Sequence, residues 1–370
     1  MEYISPFEYN HIVTGSRFIG REREVARVKN LILAHKNIVL YGPPKIGKRS
    51  LIYNVMQEIA AEPKHQEIAF CTIDLFNIRS VDKMLRRVAL LLLEKLYNSD
   101  KEREGAKREF LKGIELNGYS NDTLTERQMK MLQNFPQNLA QSRNIHLVVY
   151  FQQFQNILLF DKPLKALSIL ESMLADCRSI SFIIVGDKRN AMEHIFSELH
   201  FFRNLVTKIT LKPISKKIFC QYICNSFAKG GKRAELKYAA DMYDILEGDP
   251  WYLQHLAEIC FLLTETELDE HIIATGVKFL LNQHDYELHN TVYGLSTHQL
   301  MLIKAILDGE RRFSTYEVLD RYKLNSSANV NRLKEALTKK ELVTFVSKSV
   351  IEFNDSLLKL WLKNYFFNDN

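Results

Sequence analysis

Apolar residues in the first half of the chain fall into short continuous runs separated by stretches with helical spacing. The runs read NIVL at 37–40, IAFCTIDLF at 68–76, HLVVYF at 146–151 and SFIIVG at 181–186. A continuous apolar run of this length is typical of a strand that is covered on both faces. Because helical stretches separate the runs, right-handed crossovers and a parallel sheet follow. The pattern therefore predicts an α/β core with helices on both faces of the sheet.

The pattern changes to helices after Thr210. Two amphipathic stretches, 216–231 and 235–250, each end at glycine or proline, which are helix stop signals. From about Ser296 two further helices and a third beginning near Ser326 precede ELVTFVSKSVIEFN at 341–354, which alternates like a two-stranded hairpin. Three helices and a hairpin predict a winged helix-turn-helix domain behind an α-helical domain.

The connection between the second and third predicted strands is unusually long. It opens with VDKMLRRVALLLLEKL at 81–96, which predicts a strong amphipathic helix. The charged and polar stretch 98–125 predicts a mobile helical excursion.

Bulk composition agrees with a globular chain of several domains. The 370 residues are 46% hydrophobic and 25% charged, and we divide them into 1–212, 213–290 and 291–370. The net charge of +6 permits an acidic partner without singling out nucleic acid. An odd set of five cysteines favours a reducing compartment over a disulfide framework, and no run of about 18 uncharged apolar residues occurs. We expect a cytoplasmic protein with no membrane contact.

Metal ligands are not evident from spacing. Cys220 and Cys224 lie one helical turn apart, but no second Cys or His pair follows at the distance of a zinc site. The sequence predicts no metal site and no catalytic histidine.

The most specific motif follows the first predicted strand. GPPKIGKR at 42–49 fits the phosphate-binding pattern GxxxxGK and departs from it at the last position, where Ser or Thr is expected. Glycines let successive backbone N–H groups face a phosphate, and Lys48 would reach the outer phosphates. The predicted phosphate-binding residues are Gly42, Pro43, Pro44, Lys45, Ile46, Gly47, Lys48, Arg49 and Ser50.

Arg49 changes the chemistry of this loop. The missing hydroxyl would have bound Mg²⁺, whereas a guanidinium repels a cation, and Ser50 is turned by about 100° on the helix. Mg²⁺ binding is therefore doubtful. A P-loop fold that no longer binds nucleotide, and a Gly-Pro-Pro turn formed by chance, are the alternatives.

Five segments in order resemble the archaeal-type ATPases of the AAA+ and STAND lineage. They are SPFEYNHIVTGSRFIGREREV at 5–25, the phosphate loop, IDLFNIRS at 73–80, GDKRNAMEHIFSE at 186–198 and GDPWYLQ at 248–254. In this family a P-loop ATPase domain precedes a helical lid and a winged helix. The resemblance implies that Gly20 and Arg21 lie at the adenine pocket, that Asp187 and Arg189 occupy a sensor-like position, and that Pro250 and Tyr252 belong to the lid.

The same resemblance shows where this chain departs from the family. The family carries an Asp-Glu pair, its Walker B element, after the third strand, and this chain has Gln152 and Gln153 in that frame. Glutamine supplies neither the charge that holds Mg²⁺ nor the basicity that polarises a water. The carboxylate of Asp187, where a small polar residue is usual, would oppose a nearby γ-phosphate.

Two interpretations of these changes stay open. Losing two carboxylates and gaining Arg49 moves the local formal charge by three units in the positive direction, which would compensate for a lost Mg²⁺ and permit metal-independent binding of ATP or ADP. Drift in a site that is no longer used is the alternative.

The third helix of the winged helix leaves Asn329, Arg332 and Lys334 off its apolar face, so these residues are possible DNA contacts. The segment 291–370 carries 12 Lys plus Arg against 9 Asp plus Glu, a modest surplus of three. Protein docking is the alternative role of this domain.

The sequence thus favours an ATP-binding regulatory protein impaired or inactive in hydrolysis. A non-enzymatic adaptor or DNA-binding transcription regulator, with the P-loop domain as a scaffold, is the alternative; a slow ATPase that recruits Asp187 or Asp74 to the metal is another. Family members can assemble through ATPase domains, so a protein partner or a homo-oligomer is possible.

Overall fold

A five-stranded parallel sheet forms the first half of the molecule. The structure is a computed structural model, and it describes residues 5–62, 67–97, 99–113, 123–176, 179–347 and 350–368. The spatial order of the strands is β2-β3-β4-β1-β5. Their bounds are β1 Asn37–Tyr41, β2 Ile68–Asp74, β3 His146–Gln152, β4 Ile180–Val185 and β5 Val206–Thr210.

The apolar runs predicted four of these strands, and the parallel pairing confirms the predicted sheet. Every residue of β4 is buried, as a central strand requires. No strand was predicted at β5, which reads VTKIT and pairs with β1 at the edge of the sheet. A short edge strand with alternating polar residues carries no continuous apolar run, which is why the pattern missed it.

Helices cover both faces of this sheet. The helices of this part are α1 Glu22–Leu33, α2 Lys48–Ala60, α3 Val81–Leu96, α4 Asp100–Gly113, α5 Glu126–Ser142, α6 Pro163–Asp176 and α7 Arg189–Glu193. One hydrophobic core joins α1 and α2 to the sheet face that carries Ile38 and Ile183. A second core joins α3, α5 and α6 to the opposite face, which carries Val39 and Phe182.

The long connection between β2 and β3 is helical. The amphipathic helix predicted at 81–96 is α3, and the predicted excursion at 98–125 contains α4. Residues 114–122 of that excursion, and Asn98, lie outside the described residues. The mobility expected of this segment stays a prediction.

The second half of the chain is helical apart from one hairpin. Its elements are α8 Lys216–Lys229, α9 Leu236–Ile245, α10 Pro250–Leu263, α11 Glu270–Tyr293, α12 Thr297–Leu307, α13 Tyr316–Arg321, α14 Ser327–Lys339, β6 Val343–Phe345, β7 Ile351–Phe353 and α15 Ser356–Trp361. The predicted sequence of three helices and an antiparallel hairpin is confirmed at α12, α13, α14 and β6–β7.

One hydrophobic core runs through α8 to α15. It includes Leu253 of α10, Leu288 of α11 and Leu337 of α14, and it also holds Phe7 from the N-terminal segment. Helix α11 passes through the predicted boundary between residues 290 and 291. The lid and the winged helix therefore pack as neighbours on a shared helix, and the three domain limits stay a prediction.

Within the described ranges, no helix combines the length and the apolarity that crossing a bilayer requires.

Candidate functional site

The phosphate loop connects β1 to α2 at the carboxyl end of the sheet. Gly47 has φ of +95°, a conformation that other residues rarely adopt, and it directly precedes Lys48, the first residue of α2. The loop therefore presents backbone N–H groups at a helix N-terminus, as the GxxxxGK pattern predicts.

Lys48 is folded onto its own loop. The side-chain Nζ donates to the carbonyl oxygens of Gly42 at 2.9 Å and Pro43 at 2.6 Å, and lies 3.2 Å from Oδ1 of Asp187. The residue is only 3% exposed, and this burial lowers the pKa of its ammonium, which the Asp187 carboxylate opposes. The lysine that would bind phosphate is thus already bonded to acceptors within the protein.

A cavity of about 890 Å³ opens beside the loop. Of the predicted site residues it is lined by Arg21, Pro44, Lys45, Ile46, Gly47, Lys48, Arg49, Ser50, Asp187 and Pro250. Seven other predicted site residues do not line the cavity in the described part of the chain: Gly20, Gly42, Pro43, Gln152, Gln153, Arg189 and Tyr252. The volume lies in the range of small-molecule sites, which is roughly 300–1,000 Å³.

The N-terminal segment 5–14, here called the strap, closes one side of the cavity. The backbone N–H of Val13 donates to Oγ of Ser50 at 3.1 Å, and Nδ2 of Asn54 donates to the Val13 carbonyl at 2.9 Å. At its other end Phe7 packs edge-to-face on Phe227 in the lid core. The strap thus ties the P-loop helix to the lid, and the Ser50 hydroxyl is engaged by it.

Arg21 supports the phosphate loop through a hydrogen bond to its backbone. Its guanidinium is 3% exposed, donates to the carbonyl of Ile46 at 3.2 Å and pairs with Glu24 at 3.0 Å. Gly20 packs against the linker to the lid, because a Cβ there would lie 2.6 Å from Cγ2 of Ile214. Arg21 thus supports the phosphate loop, whereas Gly20 packs on the segment that leads to the lid.

The residues at the positions that the family resemblance assigns to Mg²⁺ do not fit a cation. Arg49 is exposed on α2, and Gln152 ends β3 in register with Asp74. The Oε1 of Gln153 accepts from Nδ2 of Asn156 at 3.3 Å. No three His, Cys, Asp or Glu side chains in the described ranges are grouped to hold a metal ion. The donor set consists of amides and a guanidinium, which are poor partners for Mg²⁺.

The positive charge of Arg49 reaches the end of β3. Burial raises the pKa of the Tyr150 hydroxyl, and the Arg49 guanidinium opposes that shift. Arg49 therefore acts electrostatically on β3, the strand that ends at Gln152.

The lid contacts the phosphate loop through Lys45. Its Nζ lies 3.8 Å from the ring centroid of Trp251 and 3.4 Å from the hydroxyl of Tyr252. The Tyr252 hydroxyl in turn donates to Oδ2 of Asp355, at the start of α15, at 3.0 Å. The family resemblance predicted Tyr252 as a lid residue. The sequence did not predict its contacts with the phosphate loop and with the segment before α15.

The sensor-like segment contacts the winged helix. Arg189 pairs with Glu352 of the hairpin at 2.5 Å, so its guanidinium is directed away from the cavity. The carboxylate of Glu341 accepts from the backbone N–H groups of Asn190 at 3.0 Å and Ala191 at 2.7 Å. Sequence analysis did not identify Asn190 or Glu341, because nothing local distinguishes them.

The possible DNA contacts on α14 differ in exposure. Arg332 is exposed, whereas Nδ2 of Asn329 donates to the Leu324 carbonyl at 3.1 Å. The ammonium of Lys334 lies 4.9 Å from the ring centroid of Phe313, and burial lowers its pKa. Arg332 is the one of the three whose charge is freely presented to solvent.

Comparison with known proteins agrees with this architecture. A family model described as a probable winged helix domain matches residues 286–364. No curated protein matches the chain.

Solved structures resemble the whole chain. The Walker-type ATPase of Pyrococcus abyssi has a TM-score of 0.67 at 13% identity, with 97% of this chain and 99% of that chain covered. The ORC2 protein of Aeropyrum pernix, in ADPNP and ADP complexes, has a TM-score of 0.61 at 15% identity, with 96% of each chain covered. The ORC1 protein of the same organism, in complex with DNA, has a TM-score of 0.50 at 12% identity, with 96% and 94% covered.

The parallel sheet, the phosphate loop and these similarities agree, and the chain has a P-loop fold similar to that of the Walker-type ATPase of Pyrococcus abyssi and the ORC2 protein of Aeropyrum pernix, with a C-terminal winged helix domain.

Proposed function

We propose that this chain binds ATP or ADP at its phosphate loop and acts as a nucleotide-responsive regulatory module that is impaired in hydrolysis. The cavity of about 890 Å³ between the loop, the strap and the lid is the observation that carries the proposal. An ORC2 protein of similar fold is described in nucleotide complexes, which supports the same role here.

Nucleotide phosphates would replace the present partners of Lys48. The ammonium would exchange the carbonyls of Gly42 and Pro43 for phosphate oxygens, and the exposed Arg49 would add a second positive charge. Gln152 and Gln153 stand in place of carboxylates, and neither amide can activate a water as a general base. Binding without efficient turnover follows from this set of groups.

Calorimetric titration with ATP and with ADP, once with Mg²⁺ and once with a chelator, tests the proposal. We expect binding that survives chelation and weakens by roughly 10–100-fold in Lys48→Ala, since a charge-assisted bond is lost. Lys208→Ala, at an exposed lysine on the edge strand β5, serves as the matched control and should bind normally. Absence of binding to the unmodified protein in both buffers would overturn the proposal.

A restoration experiment tests the impaired hydrolysis. The triple variant Arg49→Thr, Gln152→Asp, Gln153→Glu supplies a hydroxyl and a carboxylate that can hold Mg²⁺ and a second carboxylate that can polarise the attacking water. We expect phosphate release from ATP to rise above that of the unmodified chain and to require Mg²⁺. Substantial Mg²⁺-dependent release by the unmodified chain would show that it is an active ATPase.

Exposed Arg332 on α14 favours a second function, DNA binding by the winged helix. In an electrophoretic mobility shift at moderate salt, retardation of duplex DNA that Arg332→Ala weakens would support it. Unretarded DNA at micromolar protein would count against it, because phosphate contacts supply most of the affinity.

A further inference from the structure

Asp187 places a negative charge against the lysine of the phosphate loop. It follows β4 and Gly186, and its Oδ1 lies 3.2 Å from the Nζ of Lys48. Its side chain is 43% exposed and lines the cavity. The carboxylate therefore lies at the solvent side of the ammonium that is to receive the outer phosphates.

The backbone holds Asp187 in this position. Its N–H donates to Oε1 of Gln155 at 3.1 Å, and Gln155 is only 6% exposed. The preceding Gly186 packs tightly on α7, because a Cβ there would lie 2.3 Å from Sδ of Met192. These two contacts fix the backbone from which the Asp187 carboxylate extends towards Lys48.

The local charges leave the outermost phosphate poorly compensated. In a P-loop the lysine reaches the β- and γ-phosphates, and a cation normally neutralises the charge that they share. Here Gln152 and Gln153 offer no ligand charge for such a cation. The exposed Arg49 adds positive charge to the loop as a whole, but Asp187 places a negative charge 3.2 Å from the ammonium of Lys48 itself. Like charges within about 4–6 Å of each other are disfavoured. A γ-phosphate would therefore meet repulsion that a β-phosphate deeper in the loop meets less.

We propose that Asp187 makes this site selective for nucleoside diphosphates over nucleoside triphosphates. The inference rests on the proposed nucleotide binding and names the ligand class of that same cavity. Asp187 is the specificity-determining residue, and Gln155 is a positioning residue that holds its backbone.

The test is the ratio of the dissociation constants for ATP and ADP, measured by calorimetry in chelator with the full chain. We expect the unmodified protein to bind ADP at least about tenfold more tightly than ATP, as one uncompensated like-charge contact implies. In Asp187→Asn the ratio should fall to within about threefold, chiefly because ATP binds more tightly. Thermal unfolding of each variant confirms that it is folded.

Asp74→Asn is the matched control. Asp74 also ends a strand at this edge of the sheet, but its Oδ1 accepts from the backbone N–H of Phe76 at 2.8 Å and the residue does not line the cavity. The ratio should stay unchanged in this variant. If Asp187 only competes with phosphate for the ammonium of Lys48, Asp187→Asn should lower the dissociation constants for ATP and ADP by the same factor.

The outcomes separate the two proposals. If neither nucleotide binds the unmodified chain or Asp187→Asn, nucleotide binding itself is wrong. If both bind and the ratio is near one in the unmodified protein, or does not change in Asp187→Asn, the selectivity inference alone is overturned.

Discussion

The hydroxyl of Tyr252 donates a hydrogen bond to the Asp355 carboxylate at 3.0 Å, and so joins the lid helix to the first residue before α15. The same hydroxyl lies 3.4 Å from Nζ of Lys45 in the phosphate loop. One phenol therefore contacts both the phosphate loop and the winged helix.

Removing this hydroxyl should destabilise the protein. Tyr252→Phe loses a bond to a charged acceptor, so we expect the free energy of unfolding in urea to fall by about 1.5–3 kcal/mol. Tyr243→Phe is the control, since the Tyr243 hydroxyl donates to the neutral Ile214 carbonyl at 2.7 Å and should cost about 1 kcal/mol. Equal losses in the two variants would contradict a special role for the bond to Asp355.

The contact of the winged helix with α7 depends on Glu341. Glu341→Ala leaves the N–H groups of Asn190 and Ala191 without their acceptor, so we expect a loss of about 2–4 kcal/mol and faster hydrogen exchange at these amides. Glu352→Gln breaks only the exposed pair with Arg189 and should cost at most about 1 kcal/mol. Slow exchange retained in Glu341→Ala would refute the assignment of these bonds.

Asp249 should make stability depend on pH. Burial raises the pKa of its carboxyl to about 7, although the backbone N–H groups of Tyr252 and Trp251 that it caps lower that pKa. Because the pKa is raised on folding, its contribution to stability is complete below about pH 4 and is lost as the pH rises to about 7.

Asp249→Asn keeps the cap and removes this titration. We expect the variant to gain stability relative to the unmodified chain as the pH rises from about 4 to about 7, by roughly 1–3 kcal/mol, and no further gain above that range. The gain stays below the full value that the raised pKa implies, because Asp249 keeps partial exposure and solvent screens its charge. Urea unfolding at several pH values measures it, and a difference that does not vary with pH would disprove the raised pKa.

Ser50 serves the strap in this structure. Ser50→Ala removes the acceptor for the Val13 N–H, so we expect weaker nucleotide binding by the same factor with Mg²⁺ and with chelator, and a stability loss of about 1 kcal/mol. Ser172→Ala deletes a hydroxyl on the distant helix α6 and should leave binding unchanged. An affinity loss seen only with Mg²⁺ would instead make Ser50 a metal ligand.

Local pattern sufficed for much of the architecture. Strands β1 to β4 and the winged helix could be predicted because buried strands and amphipathic helices leave continuous or periodic apolar residues in the chain. The phosphate loop could be predicted because Gly47 and Lys48 act through spacing within one segment. The edge strand β5 could not, since its alternating residues depend on pairing with β1 for their structure.

The residues themselves also decided which groups the site lacks: no fold can give Gln152 and Gln153 the charge of carboxylates. Packing alone decided which groups meet. Lys45 and Tyr252 are separated by 207 positions, and Tyr252 and Asp355 by 103, so their contacts arise only when lid, loop and winged helix assemble. The pair of Lys48 with Asp187, and the engagement of Ser50 by Val13, were settled in the same way, because the partners of a polar side chain depend on the elements that packing brings beside it.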